Sequence, residues 1–302
     1  MIAQNGIRTA LADDRIICFS DLLPTSSAAL WPKSTAGSYM AVSCFLLDGG
    51  REKLLIDTGV AVNRNWLINQ IVTCCEADGR LSLLMSRREP DAIINLPALA
   101  EKPGLQRVYC GGVISPLEFF EQVDKLSAAR HVNALAHSDI TWIAPDENLE
   151  LGSLKLKVLR TPLAVLPKNH FYDYRTRTLF GSDSWGFAGQ NHAGTLEVIT
   201  SDDDRLSVER LADYLTYRFP WIRGANVDAV KASIRSIRAN FEIERICSTY
   251  GAVLEGAALV DTVLERTIAA IDLASRREFV DPLAGHEVAL SDVIRSSKSG
   301  TA

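Results

Sequence analysis

No apolar run in this chain approaches the roughly 18 residues that a membrane-spanning helix needs. The opening stretch "MIAQNGIRTALADDR" carries acidic residues and no apolar centre, so it does not read as a secretory signal. The six cysteines follow no framework spacing, which favours reduced thiols and a cytoplasmic location. There is no excess of positive charge either. The formal net charge is −5, which offers no overall attraction to nucleic acid or to an anionic membrane surface. Phosphate-binding and nucleophile motifs are also missing: no Walker loop, no G-x-G-x-x-G after a strand, no G-x-S-x-G elbow. Histidine is scarce at five residues, His131, His137, His170, His192 and His286.

What remains is the composition of a folded protein, 47% hydrophobic and 23% charged over 302 residues. Short strand-like runs dominate the first half: "RIICFSDLL", "YMAVSCFLLDGG" and "KLLIDTG", with Asp48-Gly49-Gly50 as a hairpin turn between the second and third. The spacing of Trp66, Leu67, Ile71, Val72 and Cys75 predicts an amphipathic helix over 63–77. "LSLLMS" and "QRVYCG" read as strands on either side of a short helix in "DAIINLPALAEKP". "SPLEFFEQVDKLS" carries a capping box at Ser115 and Glu118 and predicts another helix.

The second half repeats the style. "ITWIAP", "LELGSLKLKVLRTP", "HFYDYRT" and "RTLFGSD" predict strands. "SVERLADYLTYRF", "NVDAVKASIRSIRA" and "GAALVDTVLERTIAAIDLASR" predict helices, with a short strand in "ERICSTYG" before the last. The alternation indicates an α/β sandwich. No Pro- or Ser-rich linker divides the chain, so one domain over 1–276 is expected, followed by a C-terminal extension or tail over 277–302.

The vicinal pair Cys74-Cys75 is the one local cysteine feature. On a helix, neighbouring side chains diverge by about 100°, so one thiol should face the core and the other should not. A redox role would need two thiolates that meet, or one with a depressed pKa. The plain core reading is preferred.

The stretch "MSRREPDAIINLP" at 85–97 carries the chemistry. Glu89 and Asp91 flank a proline, and further segments follow in the order "LRTP…LP", "LFGSDSWG" and "ICSTYG". With "LLIDTG" upstream, this order resembles the metallo-β-lactamase fold, an αββα sandwich, and in particular the diiron domain of flavodiiron and related oxygen-binding diiron proteins. The likeness runs from about residue 10 to 275. No segment resembles the family's FMN-carrying flavodoxin domain.

The resemblance implies a set of site positions. The family's first ligand loop is His-x-Glu-x-Asp-His, and here Arg87, Glu89, Asp91 and Ala92 stand in it. A further histidine after the "TP" turn falls on Val165, give or take one residue. The bridging aspartate falls on Asp183 and the last histidine on Tyr250. The carboxylates are thus kept and the four imidazoles replaced. Asp57 is often structural in this fold, capping a loop beneath the site. Arginine has no lone pair to offer a metal, but its charge would satisfy clustered carboxylates.

Three functional expectations follow. One is a non-catalytic partner subunit or ligand-binding module without a cofactor, forming a homodimer or a heterodimer with an intact diiron paralogue. The resemblance implies head-to-tail pairing, in which one subunit's site faces the other. Another is a redox enzyme with one remodelled iron, held by Glu89, Asp91 and Asp183 with His170 or Tyr250, and His192 as a further candidate near the pocket. The last is a metal-independent enzyme using Arg87 to hold a carboxylate or phosphate and Tyr250 as acid. Lactamase-type hydrolysis needs a His-rich zinc site and is not expected.

Overall fold

The computed structural model describes residues 6–25, 38–75, 79–102, 105–111 and 139–278. The helix expected at 115–127, the histidines His131, His137 and His286, and nearly all of the expected C-terminal tail lie outside the described residues.

The first sheet runs β1 (Ile7–Leu11), β2 (Ile16–Pro24), β3 (Tyr39–Gly49), β4 (Glu52–Ile56), β5 (Arg80–Leu84), β6 (Leu105–Cys110) and β7 (Asp139–Trp142), in that spatial order. β1 to β4 pair antiparallel, and β4 to β7 pair parallel. Helix α1 (Arg64–Cys74) makes the crossover from β4 to β5, and α2 (Pro90–Ile93) and α3 (Leu96–Ala100) lie between β5 and β6.

The second sheet has the order β12 (Val198–Ile199), β14 (Val253–Glu255), β13 (Arg245–Cys247), β11 (Thr178–Phe180), β10 (Asn169–Asp173), β9 (Leu154–Arg160) and β8 (Asn148–Leu151). Its helices are α4 (Val208–Arg218), α5 (Asp228–Asn240) and α6 (Ala257–Ser275).

Alternation along the strands builds three apolar layers. On β3, Phe45 and Leu47 join Ile56, Val158, Phe171 and Phe180 between the sheets, where the Phe45 and Phe180 rings lie 5.4 Å apart. The alternate residues Cys44 and Leu46 face outward under Leu67, Ile68 and Ile71 of α1. On the far side, Tyr172, Leu179 and Ile246 lie beneath Leu211 and Leu215 of α4, Ile234 of α5 and Val263 of α6. The order of layers is therefore helix, sheet, sheet, helix, as expected.

The Asp48-Gly49-Gly50 turn is as anticipated: Gly50 adopts φ +84° and donates its N–H to Asp48 Oδ1 at 2.8 Å. Other expectations need correction. "LELGSLKLKVLRTP" is a hairpin, β8 and β9, because Gly152 turns at φ +56°. "DAIINLPALAEKP" forms two short helices. The Asn95 N–H donates to Thr58 Oγ1 at 3.2 Å, which takes it out of the helical ladder. β1, in "GIRTAL", was not anticipated; among the described residues it is an edge strand paired with β2. The helix bearing the vicinal cysteines ends at Cys74, and Cys75 is extended with φ −93° and ψ 127°. The 100° divergence does not apply, and both thiols pack, half-buried, against the outer apolar layer of the first sheet.

Candidate functional site

Parallel strands leave their C-terminal ends open for a site, and here the two sheets contribute such ends together. Asp57 follows β4, Ser86 and Arg87 follow β5, Ser182 and Asp183 follow β11, and Thr249 and Tyr250 follow β13. Two of these residues take left-handed backbone conformations: Asp57 at φ +59°, which Asp tolerates, and Ser182 at φ +51°, which is uncommon for Ser. The Asp57 carboxylate fixes the β5 loop, accepting from Ser86 N–H at 2.8 Å and from Ser86 Oγ at 2.7 Å. It therefore does stand beneath the site. Burial pushes its carboxyl up to about 6, while Arg87 and the bonds from Ser86 oppose that shift.

Arg87 is the hub. Its side chain is only 1% exposed. One terminal nitrogen donates to Thr249 Oγ1 at 2.9 Å and Ser182 Oγ at 3.0 Å, with Asp57 Oδ2 at 3.6 Å. The other terminal nitrogen is bonded to Asp91, four residues on in the same segment. Nε lies 3.3 Å from Glu89 Oε2 but finds no hydrogen-bond acceptor. Burial works against the guanidinium charge, and Asp91, Asp183 and Asp57 outweigh it, so the cation is held firmly.

Two further cations enter that the sequence reading did not single out. Lys168 is bonded to Asp183 Oδ1, and it donates to Ser184 Oγ at 2.9 Å. Its ammonium sits 4.6 Å from the centre of the Phe219 ring. Arg218, the last residue of α4, donates from Nε to Asp183 Oδ2 at 2.7 Å and from Nη2 to Glu89. Asp183 is thus gripped on both oxygens. Burial alone would raise its pKa, but Lys168, then Arg87 and Arg218, reverse this and hold the carboxyl well below the usual carboxylate range. For Lys168, burial dominates and brings the ammonium down to about 8 despite Asp183.

Both guanidiniums approach the Tyr250 ring, Arg218 at 5.1 Å and Arg87 at 5.5 Å from its centre. Burial, with Asp91 beside it, pushes the phenol up. Tyr250 also bridges to β3 through Val42. Three cations and four carboxylates therefore interlock, with Arg87 and Lys168 closed to solvent and Arg218 and Glu89 at the mouth, 24% and 20% exposed.

Of the positions expected from the sequence, Arg87, Glu89, Asp91, Asp183 and Tyr250 come together. Ala92 is buried in the apolar layer under α1, not in the charged cluster. Val165 is 59% exposed; the turn carries Lys168 inward instead, three residues further on. His170 is at one remove: its Nε2 meets Ser184 Oγ at 2.9 Å, and Lys168 stands between it and Asp183. Burial and Lys168 keep its ring neutral. His192 lies in an exposed loop with its ring near Gln190.

As a metal site the arrangement fits poorly. Both Asp183 oxygens, one oxygen of Glu89 and one of Asp91 already face protonated nitrogen. A metal ion would have to displace lysine or arginine. Among the described residues, no group of three or more His, Cys, Asp or Glu side chains is arranged to hold a metal. No described helix is long and apolar enough to cross a membrane.

By sequence, no protein family and no curated protein matches the chain. By structure, it is similar to a flavo di-iron protein variant from Thermotoga maritima, with TM-score 0.63 and 14% identity over 89% of this chain and 63% of that one. It is also similar to rubredoxin oxygen:oxidoreductase from Desulfovibrio gigas, with TM-score 0.63 and 16% identity over 88% and 61%. The flavodiiron protein from Giardia intestinalis superposes with TM-score 0.57 and 17% identity over 85% and 57%. The chain thus spans about three-fifths of the length of these proteins. At such identities the likeness is one of fold, and the fold is that of the metallo-β-lactamase-like core of flavodiiron proteins.

Proposed function

We propose that this protein is a metal-independent, non-catalytic relative of the diiron domains, acting as a partner subunit in a homodimer or with an intact diiron paralogue. The observation that carries the reading is the saturation of Asp183 by Lys168 and Arg218, with Glu89 held by Arg218 and Asp91 by Arg87. In a diiron domain these carboxylate positions would face metal; in this chain they face nitrogen cations. Four buried or half-buried carboxylates without counter-charge would cost several kcal/mol each, on the order given for buried ions. The three cations offset much of that penalty without iron.

The ligand-binding and acid-catalysis alternatives are less well supported. Arg87 is already committed to Ser182, Thr249 and Asp91, which leaves little of its charge for a substrate anion. Burial pushes the Tyr250 phenol further from the physiological range, which suits a general acid poorly. The mononuclear-iron alternative would need His170 to exchange Ser184 for metal with Lys168 in the way. A partner role is favoured by Val165 and Leu166, on the turn that bears Lys168, and by Trp221 just after Arg218, all large, apolar and exposed. A cytoplasmic location is part of the same reading.

Co-expression with a genomic neighbour that keeps His-x-Glu-x-Asp-His tests the partner role. Co-elution at micromolar concentration is expected. Separate elution, with this chain monomeric alone, would contradict it.

A further inference from the structure

The vicinal cysteines have no part in the charged cluster, and their surroundings point to a separate chemistry. The chain's other four cysteines, Cys18, Cys44, Cys110 and Cys247, are at most 1% exposed. Cys74 and Cys75 are half-buried and unpaired. Because α1 stops between them, residue 74 is helical and residue 75 extended. Both side chains pack against the same apolar layer. Cys74 also lines a cleft of about 470 Å³ with Arg8, Asp14, Lys53, Gln70 and Thr73.

The electrostatics agree with two neighbouring sulfurs. Burial pushes the Cys75 thiol up, the adjacent Cys74 thiol adds to that, and the Lys53 ammonium opposes it. Lys53 is itself tied to Asp48 Oδ1 at 2.6 Å, with its side chain 11% exposed, so its position at the cleft is set. A Cys75 thiol kept protonated resists spontaneous oxidation and alkylation, because the thiolate is the nucleophile. Soft centres that bond two sulfurs at once do not share that limitation, since the second bond is intramolecular and gains from high effective concentration.

We propose that Cys74 and Cys75 together form a binding site for a soft thiophilic centre of the trivalent arsenical type. With an organoarsenic(III) oxide, both thiol protons go to the arsenic-bound oxygen. Two As–S bonds replace the As–O double bond, and one water leaves. No oxidation state changes, and no further reagent is required. The cleft admits the organic substituent on the arsenic, and Lys53 stabilises the first thiolate as it forms.

The test uses phenylarsine oxide on the folded full chain, read by intact mass. One adduct per chain is expected, resistant to excess 2-mercaptoethanol and removed by 2,3-dimercaptopropanol. Cys74→Ser and Cys75→Ser, at half-buried positions, should each fold normally and release the arsenical to the monothiol at least about tenfold faster, as loss of a chelate requires. Three results would overturn the proposal: no adduct, an adduct lost to monothiol from the unaltered protein, or monothiol resistance that persists in both variants. Because neither cysteine touches the charged cluster, failure here leaves the metal-independent reading standing, and failure of that reading leaves this site intact.

Discussion

Arg218 Nε lies 2.7 Å from Asp183 Oδ2, so the last turn of α4 closes over a carboxylate whose other oxygen is already held by Lys168. This pairing makes the site a network of the protein's own charges. It also sets the hierarchy among the three cations, since Arg87 and Lys168 are closed to solvent and Arg218 is not.

Arg87→Met should be the most damaging single change in the cluster. It leaves Asp91 and Asp57 without their guanidinium while Glu89 keeps Arg218, and removing one partner of a buried ionic group costs roughly 3–5 kcal/mol. Arg87→Lys should recover only part of this, because one ammonium cannot reach Asp91, Ser182 and Thr249 from a planar fork. Denaturant unfolding of the two variants checks the ranking; equal stability with the unaltered protein would contradict it.

Lys168→Met should cost more than Arg218→Gln. Lys168 loses a bond to a carboxylate that is 3% exposed, whereas water can replace part of what Arg218 supplies at the mouth. The expected losses are about 3 kcal/mol or more for the first and about 1–2 kcal/mol for the second. Thermal unfolding of both variants side by side reads the order directly.

The acid limb should have two parts with opposite signs. The Asp57 carboxyl, pushed up to about 6 by burial, binds its proton more tightly folded than unfolded, so this residue's penalty eases as pH falls from 6 towards 4. The Asp183 carboxyl is held well below the usual range, against burial, by Lys168, Arg87 and Arg218. Its contribution is complete above the unfolded value of about 4 and is lost as pH falls below it. Stability is therefore expected to hold or rise slightly from pH 6 to 4 and then drop. Asp57→Asn should remove the first part and leave the drop, as measured by urea midpoints across pH 3–8.

Trp221→Asp and Val165→Glu should leave the unfolding midpoint within about 0.5 kcal/mol, as exposed substitutions usually do. Both should weaken partner co-elution. Size-exclusion chromatography with the co-expressed partner gives the readout.

Part of this site was legible in the chain. Arg87, Glu89 and Asp91 sit in one short segment, and the order of the surrounding strings carried the αββα fold. Lys168 and Arg218 were not legible, because neither occupies a position where the diiron motif has a ligand. Lys168 reaches in because the turn after Thr161 is longer than the register that placed Val165 in the pocket. Arg218 comes from the C-terminal turn of α4, 35 positions after Asp183, where a cation also reads as an ordinary favourable charge at a helix end. The one available signal was the carboxylate excess itself, since several clustered anions with a single arginine would be left under-neutralised. Ala92 and Val165 lie away from the charged cluster for a related reason. A motif position predicts where a ligand's backbone runs, and a residue with no polar group has nothing to hold it to the site.

Metal content tests the central claim most directly. The protein, expressed in medium supplemented with iron and manganese and purified without chelator, should carry iron, manganese and zinc far below one equivalent per chain. Asp183→Asn should leave that content unchanged. Near-stoichiometric iron or manganese that is lost in Asp183→Asn would contradict the account, because it would mean that a metal displaces Lys168 and Arg218 from the carboxylate they share.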